Sequence, residues 1–442
     1  MAEIKKASNK NSEVIPTSKD ATKDSKQVKF FKYLVNFWIL IPAFIYFNLV
    51  NQYVVNFPYQ DDYDAILKFL TNFKNGSFTD KLTLLISQHA DHRILHSRII
   101  YVIYYFIFGK VNFVHIIFIA NLQLVVIFLL LVYFIKQAIP KYWNVVSLIV
   151  GFCLFDPSSY ENANFAMCGI QNYGVIMLFM LCLYCFSRAG KSNLIAGCIL
   201  EAVCIFSSGN GPICAFCVLV FLILQQNRLR AICCGVILAV FTGLYYIHYS
   251  RETSPLAAAS NMSKLTIYTR FFFHMMGSHF SYENGIPVGV AVAILILVLL
   301  PLDIKRFKFR ENALPFVSIT GLMIGTILSI SVFRSAAGEI ASYWSRYMIY
   351  SHMLVAMAIV FLWLKLENKQ MLWYITAACF AVLLYNYKSN YQYGETNMEL
   401  TKRRLENIPY YYGHNSKEAA DNAKVIADNA CKESIYCIQD ER

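Results

Sequence analysis

The chain has 442 residues, of which 57% are hydrophobic, 16% aromatic and only 15% charged. A soluble chain carries roughly a quarter of its residues charged, so a conventional soluble enzyme is excluded. A formal net charge of +12 would suggest a nucleic-acid partner in a soluble protein, and the placement of the basic residues decides that question.

Residues 1–29 are rich in Lys, Ser, Asn, Thr and Asp and contain no aromatic side chain. Such a segment cannot bury enough apolar surface to order itself, so a disordered cytoplasmic tail is expected. It lacks the form of a cleaved signal: the basic stretch is too long and no small-residue cleavage site follows the apolar run. From Phe31 to Val50 the chain is apolar over about 20 residues, enough to cross a bilayer as one helix. Further apolar runs lie near 112–135, 143–155, 171–187, 193–207, 212–225, 231–249, 286–302, 314–333, 347–364 and 371–386. The expected fold is therefore an all-α polytopic membrane protein with about 11 transmembrane helices over 30–386. Its first outer loop would carry short amphipathic helices, and residues 387–442 would form a short tail outside.

Charge sets the orientation. With the N-terminus in the cytoplasm, the inner segments hold 20 of the 39 Lys and Arg residues, against 10 in the outer loops between spans. This is the positive-inside pattern, and it makes the basic surplus topology rather than a nucleic-acid footprint. Most of the 13 cysteines lie within apolar spans, where Cys is a small buried hydrophobe. The CxxC pairs Cys182/Cys185 and Cys214/Cys217 have no histidine nearby and are not read as zinc sites. Cys431 and Cys437, in the outer tail, are suited to a disulfide in an oxidising compartment.

Polar residues at membrane depth are costly, and here they gather on the outer side. The first outer loop carries Gln60, Asp61, Asp62, Tyr63 and Asp64 just after the first span. These carboxylates read either as a solvated turn capping a helix from about Ala65, or as a catalytic carboxylate at the mouth of a cavity. His89, His92 and His96 recur at i, i+3 and i+7 and would share one helix face, with Asp91 near, where a metal could bind. Phosphate or sugar binding by His92 and Arg93 is the favoured reading.

The second outer loop runs from Asp156 through Tyr160, Glu161 and Asn162 to Asn164, a composition suited either to sugar binding or to an ordinary turn. Ser207 to Pro212, with Asn210, is either a ligand-facing turn or a tight hairpin. Glu201 lies inside an apolar helix, where a carboxylate is a functional candidate with no partner evident from sequence. The last outer loop holds Arg334, then Tyr343, Trp344, Ser345, Arg346 and Tyr347 as the next span opens. Arg346 reads either as a side chain snorkelling to headgroups or as a clamp on the phosphate of a lipid-linked substrate.

Taken together, these residues resemble the GT-C superfamily of integral membrane glycosyltransferases. Gln60-Asp61-Asp62-Tyr63 stands where that family carries a short acidic motif supplying the catalytic carboxylate. His89 to Arg98 resembles the polar stretch that closes the same loop in many bacterial members, and Ser345-Arg346-Tyr347 their late Ser-Arg-Tyr. The layout is also similar to bacterial and phage enzymes that glucosylate O-antigen, the outer glycan of lipopolysaccharide.

The resemblance implies a hexosyltransferase of the bacterial inner membrane with its active site on the periplasmic face. It would take a polyprenyl-phosphate sugar donor from the lipid bilayer, and a glycan acceptor such as O-antigen or another surface or lipid-linked glycan. Asp61 or Asp62 would be the general base, and Arg346, Arg93 and His92 the donor-phosphate ligands. Tyr63, Asp64, Tyr160, Glu161, Asn210, Tyr343 and Tyr347 would contact sugar or acceptor. No cofactor is implied with certainty, no nucleic acid is expected, and a divalent metal could fit but is not indicated. The alternatives are a flippase or transporter of lipid-linked sugars, and an O-antigen polymerase-type transferase.

Overall fold

A computed structural model describes residues 37–250, 263–280, 285–303, 308–366, 369–408, 410–413 and 416–441. The expected N-terminal tail and the first six residues of the 31–50 run lie outside these. The protein is mostly helical. In chain order the helices that matter are α1 (Ile41–Tyr53), α2 (Phe69–Asn75), α3 (Phe78–Ile86), α4 (Leu95–Phe108), α5 (Phe113–Ala138), α6 (Trp143–Leu154), α7 (Tyr160–Asn164) and α8 (Ala166–Ser187). They continue with α9 (Lys191–Ile205), α10 (Gly211–Leu224), α11 (Arg228–Tyr246), α12 (Lys264–Gly277), α13 (Gly285–Leu299), α14 (Leu314–Arg334), α15 (Ser345–Lys365), α16 (Lys369–Asn407) and α17 (Lys417–Lys432). A two-stranded hairpin, β1 (Gln88–His89) and β2 (His92–Arg93), precedes α4.

The helices begin where the local chemistry favours it. Pro42, Pro212 and Pro315 occupy first turns, where the missing N–H costs nothing. Ser77 and Asp80 form a reciprocal capping box on α3, and Asn112, Asn227, Ser263 and Ser416 cap α5, α11, α12 and α17 through their side chains. Among the described residues five helices are long and apolar enough to cross a membrane: α5, α8, α11, α14 with its leading turn, and α15. Of these, α8 and α15 are buried almost throughout and form the centre, whereas α11 is largely exposed at the edge.

The connections after α1, α6, α9, α11 and α14 meet at one end of the bundle, called here the loop end. Asp62 bonds to the start of α8, Leu95 N–H to Phe206 C=O, Arg93 to the end of α11, Asp91 to Arg334, and Glu161 N–H to Ser345 Oγ. Helix α4 was not evident as an apolar run, and it does not traverse the bundle. Its start is tied to Phe206, and just past its end Val111 N–H bonds Ile435 C=O, also at the loop end. It buries Ser97, Arg98, Tyr101 and Tyr104 while exposing Ile103, Phe106, Ile107 and Phe108, the pattern of a helix lying in an interface with its polar face inward.

The expected boundary at 386/387 falls inside α16. At about 1.5 Å per residue its 39 residues run roughly 58 Å, well beyond a hydrocarbon core of about 30 Å. The chain then returns onto the first loop. Helix α17 packs on the turn at Tyr63–Lys68, Tyr436 Oη donates to Asn56 C=O at 2.8 Å, and Lys74 meets Glu433 at 3.3 Å. Cys431 and Cys437 form the expected disulfide. The segment 387–441 is thus a folded cover on the first loop.

Glycine makes the α12–α13 hairpin possible. A Cβ on Gly289 would collide with the backbone carbonyl of Phe273, whereas one on Gly243 in α11 would meet nothing within 4 Å. Gly289→Ala is therefore expected to lower stability by about 1–3 kcal/mol through overpacking. Gly243→Ala is expected to be neutral or stabilising by up to about 1 kcal/mol, because Ala loses less backbone freedom in a helix. Unfolding midpoints of the two variants in detergent check the contrast.

Candidate functional site

Gln60, Asp61 and Asp62 form a tight turn, with Gln60 in the left-handed region at φ 48°. That conformation is uncommon for a residue with a Cβ and is held by its surroundings. It sends the three side chains to three destinations. Gln60 Oε1 accepts from Arg346 Nη2 at 3.1 Å. Asp62 is buried, its Oδ1 accepting from Met167 N–H at 2.8 Å and its Oδ2 from Tyr59 N–H at 3.1 Å. Burial pushes its carboxyl well above the usual carboxylate range; the two N–H bonds act against this and the neighbouring Asp61 acts with it. Asp62 does not cap a helix near Ala65, as the spacing suggested; it binds the first turn of α8, where the helix dipole favours an anion.

Asp61 is half-buried, and its carboxylate has no hydrogen bond or ion pair with another described residue. Its electrostatic neighbours include Asp62, Cys168 and Tyr412. Of the two candidate bases it is the one whose oxygens are open.

Arg346 lies between two aromatic rings, Trp344 at 5.5 Å and Phe165 at 6.0 Å. Its fork holds Glu161: Nη2 to Oε1 at 2.8 Å and Nε to Oε2 at 3.4 Å, with the backbone N–H of Arg346 also donating to Oε2 at 3.1 Å. Two residues expected to bind different parts of a substrate are thus each other's partners. Paired in this way, their charges are neutralised and their geometry is fixed.

A cavity of about 540 Å³ includes Tyr347, the residue after Arg346, in its wall. Its polar wall comes from His92, Gln171, Asn172, Ser208 and Asn210, and its aromatic wall from Tyr245, Tyr246, Tyr249, Tyr268, Tyr347 and Tyr350. Lys264, Arg334 and Asp91 supply the charge, the last two paired at 3.0 Å. Asn210 donates to Thr326 Oγ1 at 3.2 Å, while its buried Oδ1 has no described partner. Asn172 joins the cavity to the turn: its Nδ2 reaches Arg346 C=O at 3.3 Å and Cys168 Sγ at 3.4 Å, and Cys168 neighbours Asp61 and Asp62.

Of the site residues expected from sequence, His92, Asn210 and Tyr347 line the cavity; Asp61, Asp62, Glu161 and Arg346 do not, and Arg346 reaches the wall only through its carbonyl, bonded by Asn172. Arg93 is elsewhere engaged. It is buried against Phe206 and Tyr245, and it donates to the carbonyls of Tyr245 at 2.9 Å, Ile247 at 2.7 Å and Ile86. In this position it acts as a strut closing helix ends. Tyr63 stacks on Tyr412, and Asp64 binds Lys68 at 3.1 Å and Tyr412 Oη at 3.2 Å, both beneath the C-terminal cover. Tyr160 packs edge-on to Tyr393, and Tyr343 edge-on to His274.

The histidine series does not form a helix face. His89 and His92 are paired across the β1–β2 hairpin, turned by Ala90 at φ 45°, and only His96 lies on a helix. Histidine and carboxylate ligands converge instead at Asp156, His279 and His352, which are distant in sequence. Glu201 gains the partner that sequence could not name, Cys234 Sγ at 2.8 Å. The cavity residues missed were chiefly Gln171, Asn172 and the tyrosines of 245–249. Two amides opening an apolar helix, and a tyrosine cluster closing one, were the available signals.

No protein-family model, curated protein or solved structure matches this chain.

His92 carries a testable electrostatic signature. Its imidazole is pushed down to about 4, first by burial and then by His89 and Arg334, with Asp91 acting the other way. A base with a lowered folded pKa stabilises the fold fully above its ordinary value near 6.5, and that stability is lost as pH falls towards 4. His92→Gln should flatten the pH dependence of the unfolding midpoint in this window, removing on the order of 1–3 kcal/mol of pH-dependent stability. An unchanged pH profile would contradict the lowered basicity of this half-buried ring.

Proposed function

We propose that the chain is a multi-pass glycosyltransferase of GT-C type in a bacterial inner membrane, moving a sugar from a polyprenyl-phosphate donor to a glycan acceptor. In this reading the bundle crosses the membrane about 11 times: the five long apolar helices and the shorter ones at the expected runs supply the spans, and α4 lies in the interface. The loop end faces the periplasm and the N-terminus the cytoplasm, following the distribution of basic residues.

The observation that carries the reading is the division of labour in the Gln60–Asp62 turn, which is linked through Cys168 and Asn172 to a polar and aromatic cavity. A transferase needs one carboxylate that can take a proton and a rigid frame to aim it. Asp62, with both oxygens on backbone N–H groups, supplies the frame, and Asp61 keeps its oxygens open. The tyrosine wall suits the faces of sugar rings, and amides such as Asn172 and Asn210 suit hydroxyls.

In the proposed reaction Asp61 accepts the proton of an acceptor hydroxyl. That oxygen forms the new bond to the anomeric carbon, while the bond from that carbon to the phosphate oxygen breaks on the opposite face. The configuration inverts, and polyprenyl phosphate leaves with the electron pair. Arg334 and Lys264, at the cavity, would stabilise the negative charge developing on the leaving group. This moves the phosphate role away from Arg93, each of whose three nitrogens already donates to a backbone carbonyl. Arg346, held by Glu161, would orient the turn through Gln60.

Purified protein given a polyprenyl-phosphate sugar and a glycan acceptor should form a new glycosidic linkage. Asp61→Asn should reduce the rate about 10²–10⁴-fold with helix content unchanged. Asp62→Asn should instead act through stability, losing about 1 kcal/mol or more with the weakened helix contact. Full activity in both variants would sink the assignment, and loss in Asp91→Asn alone would transfer the base to the cavity wall. Movement of the lipid across a vesicle without a new linkage would favour the flippase.

A further inference from the structure

The only buried carboxylate–histidine set among the described residues that could hold a metal lies outside the proposed catalytic turn. Asp156, His279 and His352 each offer one ligand atom, all within 4.8 Å of one another. None is more than 2% exposed at its side chain. His279 Nδ1 lies 2.8 Å from His352 Nδ1 and 3.9 Å from Asp156 Oδ2, and His352 Nε2 lies 3.8 Å from Asp156 Oδ1.

The hydrogen bonds define what the cluster lacks. Ser158 Oγ donates to Asp156 Oδ1 at 2.6 Å, so it can only accept from His352 Nε2, 3.2 Å away. His352 then presents a lone pair at Nδ1, and that lone pair points at His279 Nδ1. His279 Nε2 is buried with no described partner, and the ring is oriented by the cluster and by Phe280, whose ring packs edge-on at 4.8 Å. Its carbonyl is held from outside by Asn386 at 2.6 Å and Asn390 at 3.0 Å.

Charge is the second count. Asp156 is fully buried, and no lysine or arginine among the described residues pairs with it. Ser158 N–H and Asn390 Nδ2 donate to it at 2.9 and 2.8 Å, which satisfies its oxygens but leaves its charge unbalanced. A buried charge in a low dielectric is costly unless paired or bound to a cation.

We propose that Asp156, His279 and His352 form a buried three-ligand site for a divalent transition metal, with zinc the best match. Two imidazoles and one carboxylate are a ligand set zinc takes, whereas magnesium and calcium favour all-oxygen shells. Zinc with bonds of about 2.0–2.1 Å needs neighbouring ligand atoms roughly 3.3 Å apart. The observed 2.8 Å between the two Nδ1 atoms and 3.9 Å from His279 Nδ1 to Asp156 Oδ2 straddle that value, and all three ligand atoms lie within 4.8 Å of one another, so shifts of about 1–1.5 Å would bring them to zinc distances. The ion would bind both Nδ1 atoms and the carboxylate, while Ser158 keeps the His352 tautomer through Nε2.

The consequence lies in what the ligands carry. Asp156 leads into α7 and is followed five residues later by Glu161, while His352 lies six residues after Arg346 in α15. An ion here would clamp both partners of the Arg346–Glu161 pair from the interior and join them to α12 and α16. The proposal stands on this cluster alone and does not require the transferase reading.

Elemental analysis of the full chain, purified in detergent and dialysed, tests it. About one zinc per chain is expected, falling to near none in folded His279→Gln, His352→Asn and Asp156→Asn variants. Stripping the wild-type protein with a chelator should lower its unfolding midpoint, and adding back Zn²⁺ alone should restore it. Cobalt substitution separates this site from the buried cysteines: the spectrum should show a nitrogen–oxygen site with no thiolate charge-transfer band. Absence of bound metal together with no stabilisation by Zn²⁺ would overturn the proposal. So would zinc retained by the folded variants, or a thiolate band. Should the variants fail to fold, chelation and Zn²⁺ return on the wild-type chain decide it alone.

Discussion

Asp62 has almost no contact with solvent, and backbone N–H groups from two places in the chain hold its carboxylate: Tyr59 in its own turn and Met167 in the first turn of α8. The central helix and the first loop are thereby fixed against one another at a single group. Everything at the loop end is positioned from there. Gln60 is forced into a left-handed conformation that reaches Arg346, Arg346 grips Glu161, and Glu161 sits on α7 between α6 and α8. A buried carboxyl left without its hydrogen-bond donors would cost about 1–3 kcal/mol, so this arrangement is strongly favoured once the bundle has formed.

The same constraint explains how the scarce arginines are used. A helix ends with carbonyls that have no intrahelical donor, and near an apolar interior these need partners. Arg93 serves the end of α11 through Tyr245 and Ile247, and the end of α3 through Ile86. Arg98 serves α3 again through Leu84 and Ser87, and Arg230 serves α8 through Phe186 and Arg188. In each case a cation meets the negative end of a helix dipole while its stem packs on apolar surface. Arginines of this kind look in sequence like anion ligands. Only their neighbours in space reveal that the anion is the chain's own backbone.

The long helices were legible because apolar runs of sufficient length have few other uses, and the sidedness of the polar loops was legible because charge is so sparse. What sequence could not reveal depended on contacts across many residues. Helix α4 reads as neither a span nor a loop, because its buried face carries Ser97, Arg98 and two tyrosines while its exposed face is apolar. The residues after 386 read as a polar tail because their mixed charge hides Tyr436, Ile435 and the α17 face that pack on the first loop. His89 and His92 have helical spacing, but one left-handed residue, Ala90, makes a hairpin of them. In the candidate site Asp61 and Asp62 were equivalent by sequence, and only the N–H groups around Asp62 separate them.

That separation bears on how the proposed site could work. A base must be accessible to substrate, yet an accessible side chain on a loop is badly aimed unless something rigid lies directly behind it. Asp61 is joined by one peptide bond to a residue bonded into the bundle's central helix, and on its other side to Gln60, held by an aromatic-flanked arginine. The open carboxylate therefore inherits the rigidity of α8 and α15 without being buried by them. The C-terminal cover adds a third restraint by placing Tyr411 on Tyr59 and Tyr412 on Tyr63. Adjacent acidic residues that look redundant can divide the work, one anchoring the loop and the other left free to act.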